Sequence, residues 1–153
     1  MKILDFNYEM LERAVDSIYE RLKNPKTIDL IVAIGRGGFV PSVYISHRLS
    51  LKKMSACFID TYDSSNKREK LELKDLDLTK MPKINGAKNI LVVDDIVDSG
   101  QTLKVLDQWF KLMYPETTVQ YACLVYKPTS VFSDVIYGLE VCDDSWVKFP
   151  WEV

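Results

Sequence analysis

The chain has 153 residues, 47% of them hydrophobic and 27% charged, with a formal net charge of −2. That length supports one domain with its own core, and the acidic balance excludes a global basic field for nucleic acid or an anionic membrane. The first residues, Met1-Lys2-Ile3-Leu4-Asp5, carry no apolar run of the kind a secretory leader needs, and no stretch reaches membrane-span length. Three widely spaced cysteines, Cys57, Cys123 and Cys142, form no CxxC pair and have no neighbouring histidine. Zinc is therefore not expected, and free thiols in a reducing cytosol are the simple reading.

Along the chain, apolar residues Leu11, Ala14, Val15, Ile18 and Leu22 recur at helical spacing over residues 7–23, with Asn7 placed as an N-cap. Leu30-Ile31-Val32-Ala33-Ile34 is apolar throughout, as a strand covered on both faces is. It stops at Gly35-Arg36-Gly37-Gly38, and Pro41 opens a second predicted helix that runs to Leu49. A strand is predicted at residues 56–59. Residues 60–88 are polar, charged and broken by Pro82 and Gly86, consistent with either a mobile excursion or a β-hairpin. Order returns with a strand at residues 90–93 that ends in Asp94-Asp95. The loop Asp98-Ser99-Gly100-Gln101-Thr102 then leads into a helix ending near Leu112. A strand follows at residues 119–125. Beyond Lys127-Pro128 lies an aromatic-rich tail closing with Trp146-Val147-Lys148-Phe149-Pro150-Trp151. The alternation predicts βαβ units: an α/β domain with a mostly parallel sheet of about five strands between helices. In such sheets ligands sit beyond the carboxyl ends of strands. Both unusual loops, after Ile34 and after Val93, fall there.

Adjacent carboxylates at the mouth of a sheet suit sugar hydroxyls or a hydrated Mg²⁺. A Ser/Gly/Thr loop opening a helix offers N–H groups, hydroxyls and a positive dipole end, which suit phosphate. Alone, each half is more often an ordinary strand end or an ordinary helix cap. An apolar strand ending in acid also occurs in Walker B, but the GxxxxGK[ST] partner is absent. Together the two halves describe a site for a sugar phosphate. Gly35-Arg36-Gly37-Gly38 lacks the third glycine of a dinucleotide fingerprint, Val40 standing in its place, and by itself reads equally as a tight turn.

The run from Val92 to Leu103 resembles the signature loop of type I phosphoribosyltransferases, and the resemblance extends over nearly the whole chain. It is most similar to the purine branch, in particular the small bacterial xanthine–guanine (hypoxanthine) enzymes. The resemblance implies that Asp94 and Asp95 face the ribose hydroxyls and the metal shell, with Mg²⁺ as cofactor. It implies that Ser99, Gly100, Gln101 and Thr102 wrap the 5′-phosphate of phosphoribosyl pyrophosphate, and that Asp98 manages a proton near N7 of the base. Arg36, Gly37 and Gly38 would cradle the pyrophosphate in a loop that in this family often holds a cis peptide, here Gly35–Arg36. The pattern Tyr62-Asp63…Asn66-Lys67-Arg68-Glu69 matches the flap of the xanthine–guanine branch, expected at about residues 61–75, with Arg68 and Lys67 closing over pyrophosphate. Lys127, Trp146 and Val147 would hold the base within a hood expected over about residues 127–153; on sequence alone Trp146 is as well read as core packing. The branch carries an acid where Lys148 stands, which leaves the choice among xanthine, guanine and hypoxanthine open.

The expected protein is thus a cytoplasmic purine salvage transferase, a single domain of residues 1–153 that forms a homodimer or homotetramer. Its partners are phosphoribosyl pyrophosphate and a purine base, with no nucleic acid and no membrane. Two rivals remain from sequence: a nucleotide-sensing regulator on the same fold that binds RNA or DNA, and a phosphoribosyltransferase for a different base. His47, in a predicted helix, reads as structural.

Overall fold

A computed structural model describes residues 1–59 and 71–153. In chain order the elements are β1 (Lys2–Asp5), α1 (Tyr8–Arg21), β2 (Leu30–Ile34), α2 (Phe39–Leu49), β3 (Met54–Cys57), β4 (Asn89–Val97), α3 (Gln101–Met113), β5 (Thr118–Tyr126), β6 (Ile136–Glu140) and β7 (Ser145–Lys148). Single 3₁₀ turns lie at Pro25–Thr27, Leu73–Asp75 and Leu78–Lys80.

Local chemistry accounts for the helices. Asn7 Oδ1 accepts the Met10 N–H at 2.8 Å and so caps α1, with Glu9 in the first turn and Arg21 in the last, matching the helix dipole. Leu11, Ala14, Val15 and Ile18 form its buried stripe. In α3 the stripe is Leu103, Val105, Leu106, Trp109 and Phe110.

Five strands pair in the order β3-β2-β4-β5-β6, every neighbouring pair parallel. This is the α/β architecture with a central parallel sheet that the sequence pattern predicts. One face of the sheet packs against α1 and α2, in a core that includes Leu11, Ile18, Ile31, Ile45, Leu91 and Leu124. The other face packs against α3 with Val32, Ile90, Val92, Leu106 and Phe110. Central strands covered on both faces must be apolar on both faces, which explains the unbroken apolar run of β2. From β2 the chain winds outward to β3 and then returns to β4 on the other side of β2. The carboxyl ends of β2 and β4 therefore flank the point where the winding reverses, the usual place for a ligand crevice.

Several elements differ from the sequence expectation. The third strand covers residues 54–57, two residues earlier than expected, and α2 begins at Phe39. Strand β4 does not end at Asp94-Asp95. It continues to Val97, because Asp94, Ile96 and Val97 stay in register with Cys123, Val125 and Tyr126 of β5. Three strands, β1, β6 and β7, were not expected at all. β6, short and half-buried, forms the fifth position of the main sheet, so part of the tail beyond Lys127 belongs to the sheet and not to a hood. β1 forms a separate parallel pair with β7, with Ile3 opposite Trp146 and Leu4 opposite Val147.

That small sheet is anchored by aromatic packing. Phe149 is buried, stacks on Trp151 at 4.9 Å between centroids and meets Phe6 edge-on at 5.1 Å. Phe149→Ala should cost about 3–5 kcal/mol, as large-to-small changes at buried aromatics do. Urea denaturation of the full chain checks this, and a loss below about 1 kcal/mol would show that the tail packs independently of the core.

Candidate active site

At the carboxyl end of β4 the chain carries two carboxylates, a turn and a helix start in succession. The Asp95 N–H donates to Asp94 Oδ1 at 2.9 Å, and the Ile96 N–H donates to Asp95 Oδ1 at 2.7 Å. Each side chain is thereby fixed against the backbone of the residue that follows it. Burial, then the charge of Asp95, pushes the Asp94 carboxyl well above the usual carboxylate range. Asp95 is also pushed up, chiefly by burial and further by the charge of Glu152, although its bonds to neighbouring groups oppose the shift. Its carboxylate lies directly against Gly37, where a Cβ would collide with it. The glycine after Arg36 is what allows the β2 loop to approach the acid pair.

Beyond Val97 the turn is held from two directions. The Lys127 N–H donates to the Val97 carbonyl at 3.0 Å, and the Val131 N–H donates to the Ser99 carbonyl at 2.8 Å. Gly100 caps α3 with φ 81°, a left-handed conformation that glycine adopts without strain. A Cβ there would collide with Ser130 Oγ and lie 2.8 Å from the Phe132 backbone nitrogen. The Ser130 hydroxyl is itself fixed, donating to the Phe132 carbonyl at 2.8 Å and accepting the Phe132 N–H at 3.1 Å. Residues 127–132 thus form a brace behind the turn. The same brace carries the Lys127 side chain, nearly buried, with Nζ 3.4 Å from Asp98 Oδ1.

One cavity of about 340 Å³ is lined by Asp94, Asp95, Asp98, Ser99, Gly100 and Thr102. Lys127, Trp146, Val147, Phe149 and Glu152 complete its lining. Alternation along β7 buries Val147 and leaves Trp146 61% exposed, so Trp146 is not core packing and presents a free aromatic surface. Arg36 is exposed and Gly38 buried; their loop adjoins the cavity at Asp95 through Gly37. The Gly35–Arg36 peptide is cis, as expected for this loop.

Not every residue expected at the site is gathered there. Gln101 is the first residue of α3, and it lines a separate crevice with Leu71, Leu73, Lys104 and Gln108 instead of the cavity. Lys67 and Arg68 lie outside the described residues. Conversely, Glu152 and Ser130 were missed. Glu152 reaches the cavity because the tail folds back: its Oε2 accepts the Phe149 N–H at 3.2 Å while its own N–H donates to the Phe149 carbonyl at 3.1 Å. The Pro150 between them was the one local sign of that turn.

Among the described residues no group of three or more metal-ligating side chains is assembled. The donor set is two adjacent carboxylates with raised proton affinity, a pattern suited to a hard cation that takes its remaining ligands from water and substrate phosphates. The arrangement places carboxylates, a turn rich in N–H and hydroxyl donors, an ammonium group and an exposed aromatic ring around one cavity.

Residues 6–153 match the family model described as the phosphoribosyl transferase domain. The chain belongs to that family. Among curated relatives of this phosphoribosyltransferase chain, the xanthine-guanine phosphoribosyltransferase of Idiomarina loihiensis is 28% identical over 148 residues, covering 96% of this chain and 85% of the relative. Two solved structures share the fold. The purine phosphoribosyltransferase from Pyrococcus horikoshii has a TM-score of 0.71 at 24% identity, covering 100% of this chain and 95% of that one. The Helicobacter pylori xanthine-guanine-hypoxanthine phosphoribosyltransferase gives 0.69 at 22% identity, covering 99% and 92%.

Two substitutions test this geometry. Gly100→Ala should destabilise the phosphoribosyltransferase domain by about 1–3 kcal/mol, the usual cost of overpacking, read from the urea midpoint. Asp94→Asn should raise that midpoint at pH 7. A carboxyl held above its usual pKa keeps its proton in the folded state while the unfolded chain releases it, so wild-type stability falls as pH rises beyond the ordinary carboxylate value. The gain from Asn should shrink as pH drops below that value; a gain independent of pH would contradict the assigned cause.

Proposed function

We propose that the chain transfers the phosphoribosyl group of phosphoribosyl pyrophosphate to a 6-oxopurine (guanine, xanthine or hypoxanthine), releasing pyrophosphate. The observation that carries this reading is the Lys127–Asp98 pair, an ammonium and a carboxylate 3.4 Å apart in one wall of the cavity. A 6-oxopurine presents O6 and N7 side by side on one edge. Lysine has donors and no acceptor, so it suits O6 and not the amino group that adenine carries there. The carboxylate beside it suits a proton at N7.

In this reading the ring lies against Trp146, whose exposed face supplies stacking worth about 1–3 kcal/mol. Asp94 and Asp95 hold the ribose hydroxyls. The turn at Ser99 and Gly100, with Thr102 in the first turn of α3, takes the 5′-phosphate, and the Arg36–Gly38 loop takes the pyrophosphate. Purine N9 attacks C1′, the C1′–oxygen bond breaks with its electron pair leaving on pyrophosphate, and the N7 proton passes to Asp98. Asp94 and Asp95 would hold Mg²⁺, which would supply charge neutralisation for the leaving pyrophosphate. Lys67 and Arg68 lie outside the described residues, and their assignment to the pyrophosphate rests on the sequence resemblance alone. Gln101 lies outside the cavity, and its assignment to the phosphate rests on the sequence resemblance alone. In this reading the enzyme acts in the cytoplasm as a homodimer or homotetramer.

Pyrophosphate release in the presence of Mg²⁺, with guanine, hypoxanthine, xanthine, adenine, uracil and orotate supplied separately, tests the assignment. Turnover is expected with one or more 6-oxopurines and not with adenine. Turnover with uracil or orotate alone would overturn the base assignment, and none at all with nucleotide still bound would favour a regulator. Asp98→Asn should lower turnover roughly 10²–10⁴-fold while phosphoribosyl pyrophosphate still binds. Unchanged turnover would remove Asp98 from proton transfer.

A further inference from the structure

A second cavity, of about 560 Å³, opens at the opposite end of the sheet, where β2 and β3 begin. No step of the proposed reaction uses it. Its volume lies within the range of small-molecule sites. Lys52 and Lys53, on the connection into β3, form one side, and Lys83, ahead of a turn at Ile84–Ala87, lies on the other. The two sides are tied together, because the Lys83 N–H donates to Ser55 Oγ at 3.1 Å. That contact leaves the Ser55 hydroxyl hydrogen available to donate.

The positive charge here is only partly compensated. Asp29 is the one acid in the lining, and its two oxygens accept the backbone N–H groups of Lys88 and Asn89, each at 2.9 Å. None of the ammonium groups of Lys52, Lys53 and Lys83 is paired with a carboxylate among the described residues. Elsewhere in this acidic chain, bases at Arg13, Arg48, Lys74, Lys111 and Lys127 do have acidic partners. Three unpaired cations around one concavity repel one another and concentrate positive potential, which an anion of multiple charge would relieve. The floor is apolar: Leu30 and Ile84 are buried beneath it and Met54 is 39% exposed at its edge. A ligand that fits both features has a polyanionic end and a flat or apolar end.

We propose that this cavity is a second anion site, separate from the candidate active site, that takes a nucleotide carrying at least two phosphates. The lysines and the Ser55 hydroxyl bind the phosphates, and the base or ribose lies on the Met54 side. An extended nucleic acid does not fit, since the positive charge is confined to a concavity in a chain of net charge −2.

The test is an NMR titration of the ¹⁵N-labelled full chain with ADP, ATP and inorganic tripolyphosphate, read at the amides of residues 52–55 and 83–87. Signals of residues 98–102 report the candidate active site independently, so failure of one site is distinguishable from failure of the other. Saturable shifts at residues 52–55 and 83–87 with ADP and ATP are expected. Replacing two lysines together, Lys53→Gln with Lys83→Gln, should weaken that binding at least about tenfold and leave pyrophosphate release unchanged. Lys2→Gln, outside the cavity, should change neither. Absence of saturation, or equal weakening by Lys2→Gln, would refute the site. Tripolyphosphate binding as tightly as ATP would refute the nucleotide and leave only a phosphate-chain ligand.

Discussion

The acid pair at the end of β4 is the constraint around which the other site features are arranged. A central parallel strand is buried on both faces, so charge can be placed on it only where the strand leaves the sheet. Asp94 and Asp95 sit where β4 has run past its last pair with β2, while β4 still pairs with β5, and both resist ionisation because water is scarce and each faces another acid. Left to itself such an arrangement costs folding energy. It makes sense as a site whose charge is completed by a ligand, and the residues around it are placed accordingly. Gly37 lets the β2 loop touch Asp95, and Glu152 adds a third acid from the tail. Stability given up at a binding centre is a common exchange for function.

The second organising feature is the brace at residues 127–132. It joins the two halves of the reaction the cavity is suited to. Its backbone fixes the turn at Ser99 and Gly100, proposed above to take the phosphate, and its first side chain, Lys127, faces Asp98 in the region proposed for the base. A displacement reaction depends on holding two reactants in one geometry, and errors of an ångström are costly. Building both subsites on one short, hydrogen-bonded segment limits such errors without a large interface. The β1–β7 pair then closes the side opposite, with Phe6, Phe149 and Trp151 holding the tail to the core and Trp146 left facing the cavity.

Sequence made the core of this picture legible. Apolar runs with helical or unbroken spacing marked α1, β2, α3 and β5, because burial on one stripe or on both faces leaves a local record in the pattern. The acid pair and the Ser/Gly/Thr turn were visible for the same reason: their chemistry is contiguous in the chain. Short pairings such as β1 with β7 were not visible, since four residues carry little periodicity and gain their order only from a partner at the far end of the chain. β6 was lost in the tail because its five residues are half-buried and do not alternate.

What the sequence determined by itself was the α/β class, the strand-end position of the site and the family resemblance carried by Val92–Leu103. These depend on local composition, and the resemblance agrees with the family match over residues 6–153. Only the tertiary structure decided which candidates share a space. It set Lys127 against Asp98, brought Glu152 into the cavity, placed Ser130 behind Gly100 and turned Gln101 away. The physical reason is that side-chain direction depends on register and on helix phase. Those are fixed by pairing and packing between distant segments, and local sequence does not specify them.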